Sequence, residues 1–223
     1  MSLYLWLNIL TILFPLIASF EKKVNYFSKW KYLFPAIIIV YIPFIIWDAI
    51  FTSQGVWGFN SAYLNDVKLF GLPIEEHLFF ICIPFSCIFI YECVKYQWYQ
   101  FYNTNSSWVN MFAIALFLVG GIFLSKSYTS ITFFSLAVVL VILVFYRVKY
   151  LNLFFLSYLF ILIPFFIVNG ILTGSFIHNE VVWYNNEENM GVRLFTIPVE
   201  DTFYGMLLIL LNVSIYEYLK KKY

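Results

Sequence analysis

Written as apolar and polar positions, the chain is a series of long, largely uncharged runs separated by short polar loops. The runs cover residues 3–20, 32–51, 69–94, 108–124, 128–146, 150–172 and 194–219. A helix needs roughly 20 apolar residues to cross the hydrocarbon core of a bilayer. The pattern therefore predicts an all-α integral membrane protein of about seven transmembrane helices, with no soluble domain of any size. Composition agrees, since 63% of the 223 residues are hydrophobic and only 11% are charged. A water-soluble domain of this length has no interior large enough to hide that much apolar surface. The first run has no basic prefix, and reads as a retained span rather than a cleaved signal.

Positive charge in the loops sets the expected orientation. Lys22, Lys23, Lys29, Lys31, Lys95, Arg147, Lys149, Lys220, Lys221 and Lys222 fall on one side of the seven runs, and only Lys68, Lys126 and Arg193 on the other. This split puts the N-terminus outside and the C-terminus in the cytoplasm of a multi-pass cell-membrane protein. The net charge is only +1, which argues against nucleic acid as a partner.

The runs also repeat. Ile42-Pro43-Phe44-Ile45-Ile46 answers Ile163-Pro164-Phe165-Phe166-Ile167, and Val56-Trp57 answers Val182-Trp183. Leu69-Phe70-Gly71-Leu72-Pro73-Ile74-Glu75-Glu76 answers Leu194-Phe195-Thr196-Ile197-Pro198-Val199-Glu200-Asp201, and Ile90-Tyr91-Glu92 answers Ile215-Tyr216-Glu217. The expected organisation is a three-helix unit over 1–95, a linker helix within 96–126 and a second three-helix unit over 127–223. The odd linker lets both units point the same way, related by a pseudo-twofold axis along the membrane normal.

Carboxylates inside a span are expensive, and mark function by default. Here two adjacent pairs, Glu75-Glu76 and Glu200-Asp201, occupy matched positions behind Pro73 and Pro198. Counted from the starts of their apolar runs they lie about 9 Å into the spans at 1.5 Å per residue. Each proline either opens a helical segment, because the first turn tolerates its missing N–H, or kinks a longer helix. Like charges this close in a low dielectric cannot all ionise, so the cluster is expected to share a proton and to supply a general acid and base. A structural polar clamp is the competing reading. Asp48 matches Asn169, and both are candidates to orient the acids. Phe79, Phe80, Trp47, Trp57 and Trp183 flank the same layer and are candidate substrate contacts; aromatic faces there suit a cation. His77 is a weaker candidate for proton relay because Thr202 stands at its repeat position. Cys82, Cys87 and Cys93 have no metal-ligand spacing and read as packing. Neither a Gly-x-Gly-x-x-Gly nor a Walker sequence occurs, and no lysine lies inside a span. No metal and no cofactor is expected.

The blocks Leu72-Pro73-Ile74-Glu75-Glu76-His77-Leu78-Phe79-Phe80 and Ile197-Pro198-Val199-Glu200-Asp201 resemble the membrane-integral, non-flavin lycopene cyclase family, each repeat carrying a Pro-x-Glu-(Glu/Asp) motif. The family includes two-subunit bacterial cyclases and the cyclase domain of fungal lycopene cyclase/phytoene synthase proteins, and this chain is similar to a fused two-subunit form. The resemblance implies a lycopene β-cyclase, with Glu75, Glu76, Glu200 and Asp201 as acid and base. It implies a linear carotene as substrate in the lipid bilayer, and leaves open a homo-oligomer or association with other carotenoid-pathway enzymes. In the second motif Thr202-Phe203-Tyr204 follows the acids where the family usually has Phe-Phe. Another membrane-embedded carotenoid or prenyl end-group enzyme, or a proton-coupled carrier, are the alternative functions.

Overall fold

The computed structural model describes residues 2–102 and 108–222; residues 103–107, inside the expected 96–126 linker, lie outside the described residues. The fold is all-α and membrane-like. Its helices are α1 (Leu3–Ala18), α2 (Trp30–Ser53), α3 (Ile74–Gln97), α4 (Trp108–Ile122), α5 (Ser127–Phe145), α6 (Leu151–Leu172) and α7 (Val199–Lys222). Among the described residues, five segments are long and apolar enough to cross a membrane: Phe27–Ser53, Ile74–Gln97, Ser127–Phe145, Leu151–Leu172 and Val199–Lys222. The helices α1 and α4 are apolar but shorter, at 16 and 15 residues, or about 24 and 22 Å.

Helix directions follow from side-chain pairing. Tyr4 meets Glu76 and Ser86 meets the Thr11 carbonyl, so α1 runs parallel to α3. Tyr128 meets Asp201, which does the same for α5 and α7. Tyr91 meets Glu217 and Tyr216 meets Glu92, so α3 and α7 are parallel too. All four therefore start at one end of the bundle, which also carries the six short strands found among the described residues. These are β1 (Trp57–Phe59), β2 (Lys68–Leu69), β3 (Leu72–Pro73), β4 (Val182–Tyr184), β5 (Arg193–Leu194) and β6 (Ile197–Pro198).

The strands correct one sequence expectation. Helices α3 and α7 begin at Ile74 and Val199, not at 69 and 194, because the preceding residues fold into hairpins, β2 on β3 and β5 on β6. Phe70 and Gly71 take φ of 52° and 83°, the pair of left-handed residues that a two-residue turn between twisted strands requires. Phe195 takes φ of 60° in the second hairpin, where Thr196 is held by Thr173 and Ser175 at 2.7 Å each. Pro73 ends β3 and caps α3. The acidic pairs thus sit in the first helical turn, rather than 9 Å along a span.

The strands β1 and β4 pair antiparallel with Gly58 opposite Trp183. A side chain at 58 would lie 2.3 Å from the Trp183 ring, so only glycine lets that indole lie across the strand. Below this cap, α3 and α7 run through the middle of the core, with Phe85, Ile88 and Tyr91 of α3 and Leu207, Leu210 and Tyr216 of α7 almost fully buried. Helix α1 packs on α3, α5 on α7, and α4 on α5.

Candidate active site

Beneath the strands a cavity of about 550 Å³ opens between α1, α3, α6 and α7. Its walls are mainly apolar, but three carboxylates reach it: Glu76 from α3, Asp201 from α7 and Asp48 from the end of α2. All three are at least nine-tenths buried, and Glu76 interacts electrostatically with both of the others.

Their immediate neighbours do something else. Successive residues on a helix project about 100° apart, so an adjacent acidic pair at a helix start cannot face one cavity together. Glu75 turns away and is fully buried, its Oε1 accepting from Ser2 Oγ at 2.6 Å, Asn65 N at 2.7 Å and Asn65 Nδ2 at 2.8 Å. Glu200 does the same in the other half, accepting from Thr129 Oγ1 at 2.5 Å and Met190 N at 2.8 Å. Asn65 and Met190 lie ten residues before their partners, so each outer carboxylate ties down the loop leading into its own helix.

The cavity carboxylates are held by phenols. Tyr4 donates to Glu76 Oε2 at 2.5 Å. Tyr128 and Tyr184 donate to the two oxygens of Asp201, at 2.6 and 2.9 Å. Burial first, and then the charge of Asp201, push the Tyr184 phenol on β4 well above its ordinary range, so it stays a donor. Asp48 accepts from Trp57 Nε1 at 2.5 Å. Sequence reasoning missed these tyrosines, although a signal exists. Tyr4 and Tyr128 stand 72 and 73 residues before their carboxylates, a near-equal spacing in the two halves of the chain.

Of the aromatic candidates, Phe79, Phe80 and Trp57 line the cavity, joined by Tyr158 and Tyr204. Trp183 does not. Side chains alternate along a strand, and on β4 Val182 and Tyr184 face the cavity while Trp183, 39% exposed, lies over Gly58. Trp47 is not in the wall either; it packs behind it, edge-on to Tyr204 with ring centroids 5.2 Å apart. Asn169 is in the wall, but the orienting bonds expected of Asp48 and Asn169 toward the acidic pairs are absent among the described residues. Asp48 instead reaches the cavity as a carboxylate in its own right.

His77 turns toward α2. Its Nδ1 lies 2.6 Å from Tyr41 Oη and its Nε2 2.9 Å from the Leu69 carbonyl, which ties β2 to the bundle and leaves the ring outside the cavity wall. His178 stays at the surface, where its carbonyl accepts from Tyr63 Oη. Among the described residues no group of three or more His, Cys, Asp or Glu side chains is placed to hold a metal ion.

One family matches this chain, described as lycopene cyclase, over residues 1–94 and 125–219. The chain belongs to the lycopene cyclase family. No curated protein and no solved structure matches it. Membership makes it an enzyme of carotenoid biosynthesis, a cyclase acting on a carotene in a membrane setting. The cavity of this lycopene cyclase suits such a hydrocarbon. Its wall includes Leu10 and Phe14 of α1 and Ile167 of α6, each more than half exposed on the outside of the bundle. An apolar route thus leads from the lipid-facing surface to the carboxylates.

Proposed function

We propose that this chain is a lycopene β-cyclase that works by acid–base chemistry without net redox change. The carrying observation is that Glu76 and Asp201, from two different helices, face one apolar, aromatic-walled cavity with Asp48 beside them. Glu76 accepts a single phenol, at Oε2, and faces the cavity, which suits the proton donor. Asp201 has both oxygens occupied by O–H donors, which suits the acceptor.

In this reading Glu76 gives its proton to the terminal double bond of the linear end group, leaving a tertiary cation. The double bond that then attacks it closes the six-membered ring and carries the positive charge onto a ring carbon. The faces of Trp57, Phe79, Phe80 and Tyr204 lower the energy of that charge. Asp201 removes the neighbouring proton to leave the ring double bond, and the proton returns to Glu76 through the carboxylate cluster before the next turnover. Glu75 and Glu200 act through the loops they hold. Expressing the gene in lycopene-accumulating bacteria is expected to yield β-ring carotenes on pigment analysis. Unchanged lycopene at a normal protein level would overturn the reading, and another ring type would restrict it to cyclisation alone.

We also read the bundle as two parallel three-helix units, 1–95 and 127–223, joined by the helix in 96–126, with all seven helices crossing the membrane. The ten-to-three split of basic residues then puts the N-terminus and the carboxylate layer outside. Reporter fusions after the last residue and in the loop at Glu187 are expected to report cytoplasmic and external positions respectively. A cytoplasmic Glu187 would invert the orientation.

A further inference from the structure

Five tyrosines line the cavity, Tyr4, Tyr128, Tyr158, Tyr184 and Tyr204, and four of them spend their hydroxyls. Tyr4 donates to Glu76, Tyr128 and Tyr184 donate to Asp201, and Tyr158 donates to the Thr202 carbonyl at 2.5 Å. Tyr204 of α7 does not. Its Oη is buried and hydrogen-bonds to nothing among the described residues. A phenol shut away from water without a partner is costly, and such a group asks for a reason.

Packing explains the ring. Tyr204 lies edge-on to Phe44 and Trp47 of α2, with centroids 5.2 Å from each. It is also edge-on to Trp57 and Tyr128, at 6.1 and 6.2 Å. A phenylalanine ring would make all of these contacts, and one stands at the matching repeat position of α3, Phe79. The hydroxyl is what packing leaves unexplained. Trp57 holds Asp48 and Tyr128 holds Asp201, so Tyr204 sits among the side chains that anchor two of the three cavity carboxylates. Asp201 stands three residues before it, the spacing of neighbours on one helix face. Asp48, Glu76 and Asp201 all act electrostatically on the phenol.

The reaction cycle leaves a task that such a group fits. Each ring takes a proton from Glu76 and leaves one on Asp201, so a turnover ends with their protonation states exchanged. A group that carries the proton back must donate and accept at once, as a phenol can. Tyr4, Tyr128 and Tyr184 are each tied to one carboxylate; Tyr204 is uncommitted.

We propose that Tyr204 is a further catalytic residue, the relay that returns the proton from Asp201 to Glu76. Its Oη accepts the proton of the Asp201 carboxyl while its own O–H proton passes to the Glu76 carboxylate. The phenol is left neutral, Asp201 ionised and Glu76 protonated. The emptied Glu76 carboxylate is an anionic acceptor, and draws the phenol that the resting site leaves idle. Catalytic hydrogen bonds often close only in the working complex. The proposal rests on the cyclase reading above and adds how the site resets.

Tyr204→Phe tests it, because it keeps the ring and its contacts and removes only the hydroxyl. The variant is expected to melt in detergent at or above the parent temperature, since no hydrogen bond is lost. With lycopene in excess it is expected to make its first ring at the parent rate and then to slow about 100-fold. Such a burst separates chemistry from reset. In heavy water the parent is expected to form rings with fewer than one solvent deuteron each, because the returning proton comes from the previous carotene. The Phe variant is expected to form rings with one each, because solvent must then reset Glu76. Parent-like steady turnover of the Phe variant at equal protein level overturns the proposal, and so does a first ring slowed as much as the later ones. A parent whose rings each carry a full solvent deuteron also overturns it, and that measurement decides even if the variant does not accumulate. A parent chain inert on lycopene would instead remove the cyclase reading on which the proposal stands.

Discussion

Glu76→Gln and Asp201→Asn, made singly, are each expected to lower cyclisation by about 10²- to 10⁴-fold, the usual contribution of a general acid or base, with no loss of folded protein. The amide keeps the shape of the side chain: at 76 its oxygen can still accept from Tyr4, and at 201 its one oxygen can accept from Tyr128 or Tyr184 while its NH2 donates to the other phenol. What it cannot do is deliver or take the proton. Glu75→Gln and Glu200→Gln are expected to act differently. Glu75 Oε1 accepts three bonds, and a neutral amide is a poorer acceptor than a carboxylate. The substitution is expected to destabilise the protein by about 1–3 kcal/mol, to raise amide exchange at Asn65, and to lower activity only as far as the hairpin loosens. The Glu200 variant should raise exchange at Met190 in the same way. Purified variants assayed for turnover, melting temperature and amide exchange separate the two classes. Equal loss of turnover in all four with unchanged exchange would return the outer carboxylates to the chemistry. Parent-like turnover in Glu76→Gln and Asp201→Asn would remove acid–base catalysis by this cavity.

At the opposite end of the bundle, Glu92→Ala is expected to destabilise the protein by about 3 kcal/mol, at the lower end of the range for breaking a buried ion pair from one side. Glu92 of α3 is 3% exposed and accepts from Tyr216 Oη at 2.8 Å and Lys220 Nζ at 2.9 Å, both on α7, and from Lys29. The arrangement is reciprocal. Glu217 of α7 accepts from Tyr91 Oη at 2.8 Å and from Lys95, both on α3. Each helix supplies the carboxylate that the other helix's tyrosine and lysine hold. Removing Glu92 strands two lysines and a buried phenol; the lysines are 19% and 29% exposed, so water relieves part of the loss. Glu92 lies sixteen residues beyond Glu76 on the same helix, about 24 Å away, so turnover per folded molecule is expected to stay at the parent level. Melting in detergent with an activity assay at low temperature checks both parts. Adding Lys220→Met is expected to recover some stability by removing one stranded charge. If Glu92→Ala melts like the parent, the reciprocal pairing does not hold α3 to α7.

The apolar runs and the internal repeat carried much of this into view from the sequence. Runs of about 20 uncharged residues admit little but helices in lipid, because a backbone without water must satisfy its own hydrogen bonds. The blocks around Pro73 and Pro198 located the acidic pairs, and left two readings of each proline, a helix start or a kink; Pro73 caps the start of α3. The length of an apolar run did not reveal the two hairpins. Phe70 and Phe195 are as hydrophobic as any span residue, and only their left-handed φ, imposed by strand pairing, takes them out of the helices.

Which acid meets the cavity was a tertiary decision. Glu75 and Glu76 are equivalent in a string of letters, and the turn of about 100° between them sends one to the loop at Asn65 and the other to the carboxylate cluster. The direction of that turn depends on where α1 packs, and the donors that complete each site come from chain segments about 70 residues away. The same holds for Trp57 and Trp183, a matched pair in sequence that one strand's alternation divides between cavity and surface. Hydrophobic period and repeat are local or translational properties of a sequence and can be read along it. The facing of a side chain is a relation between elements, set by packing them together.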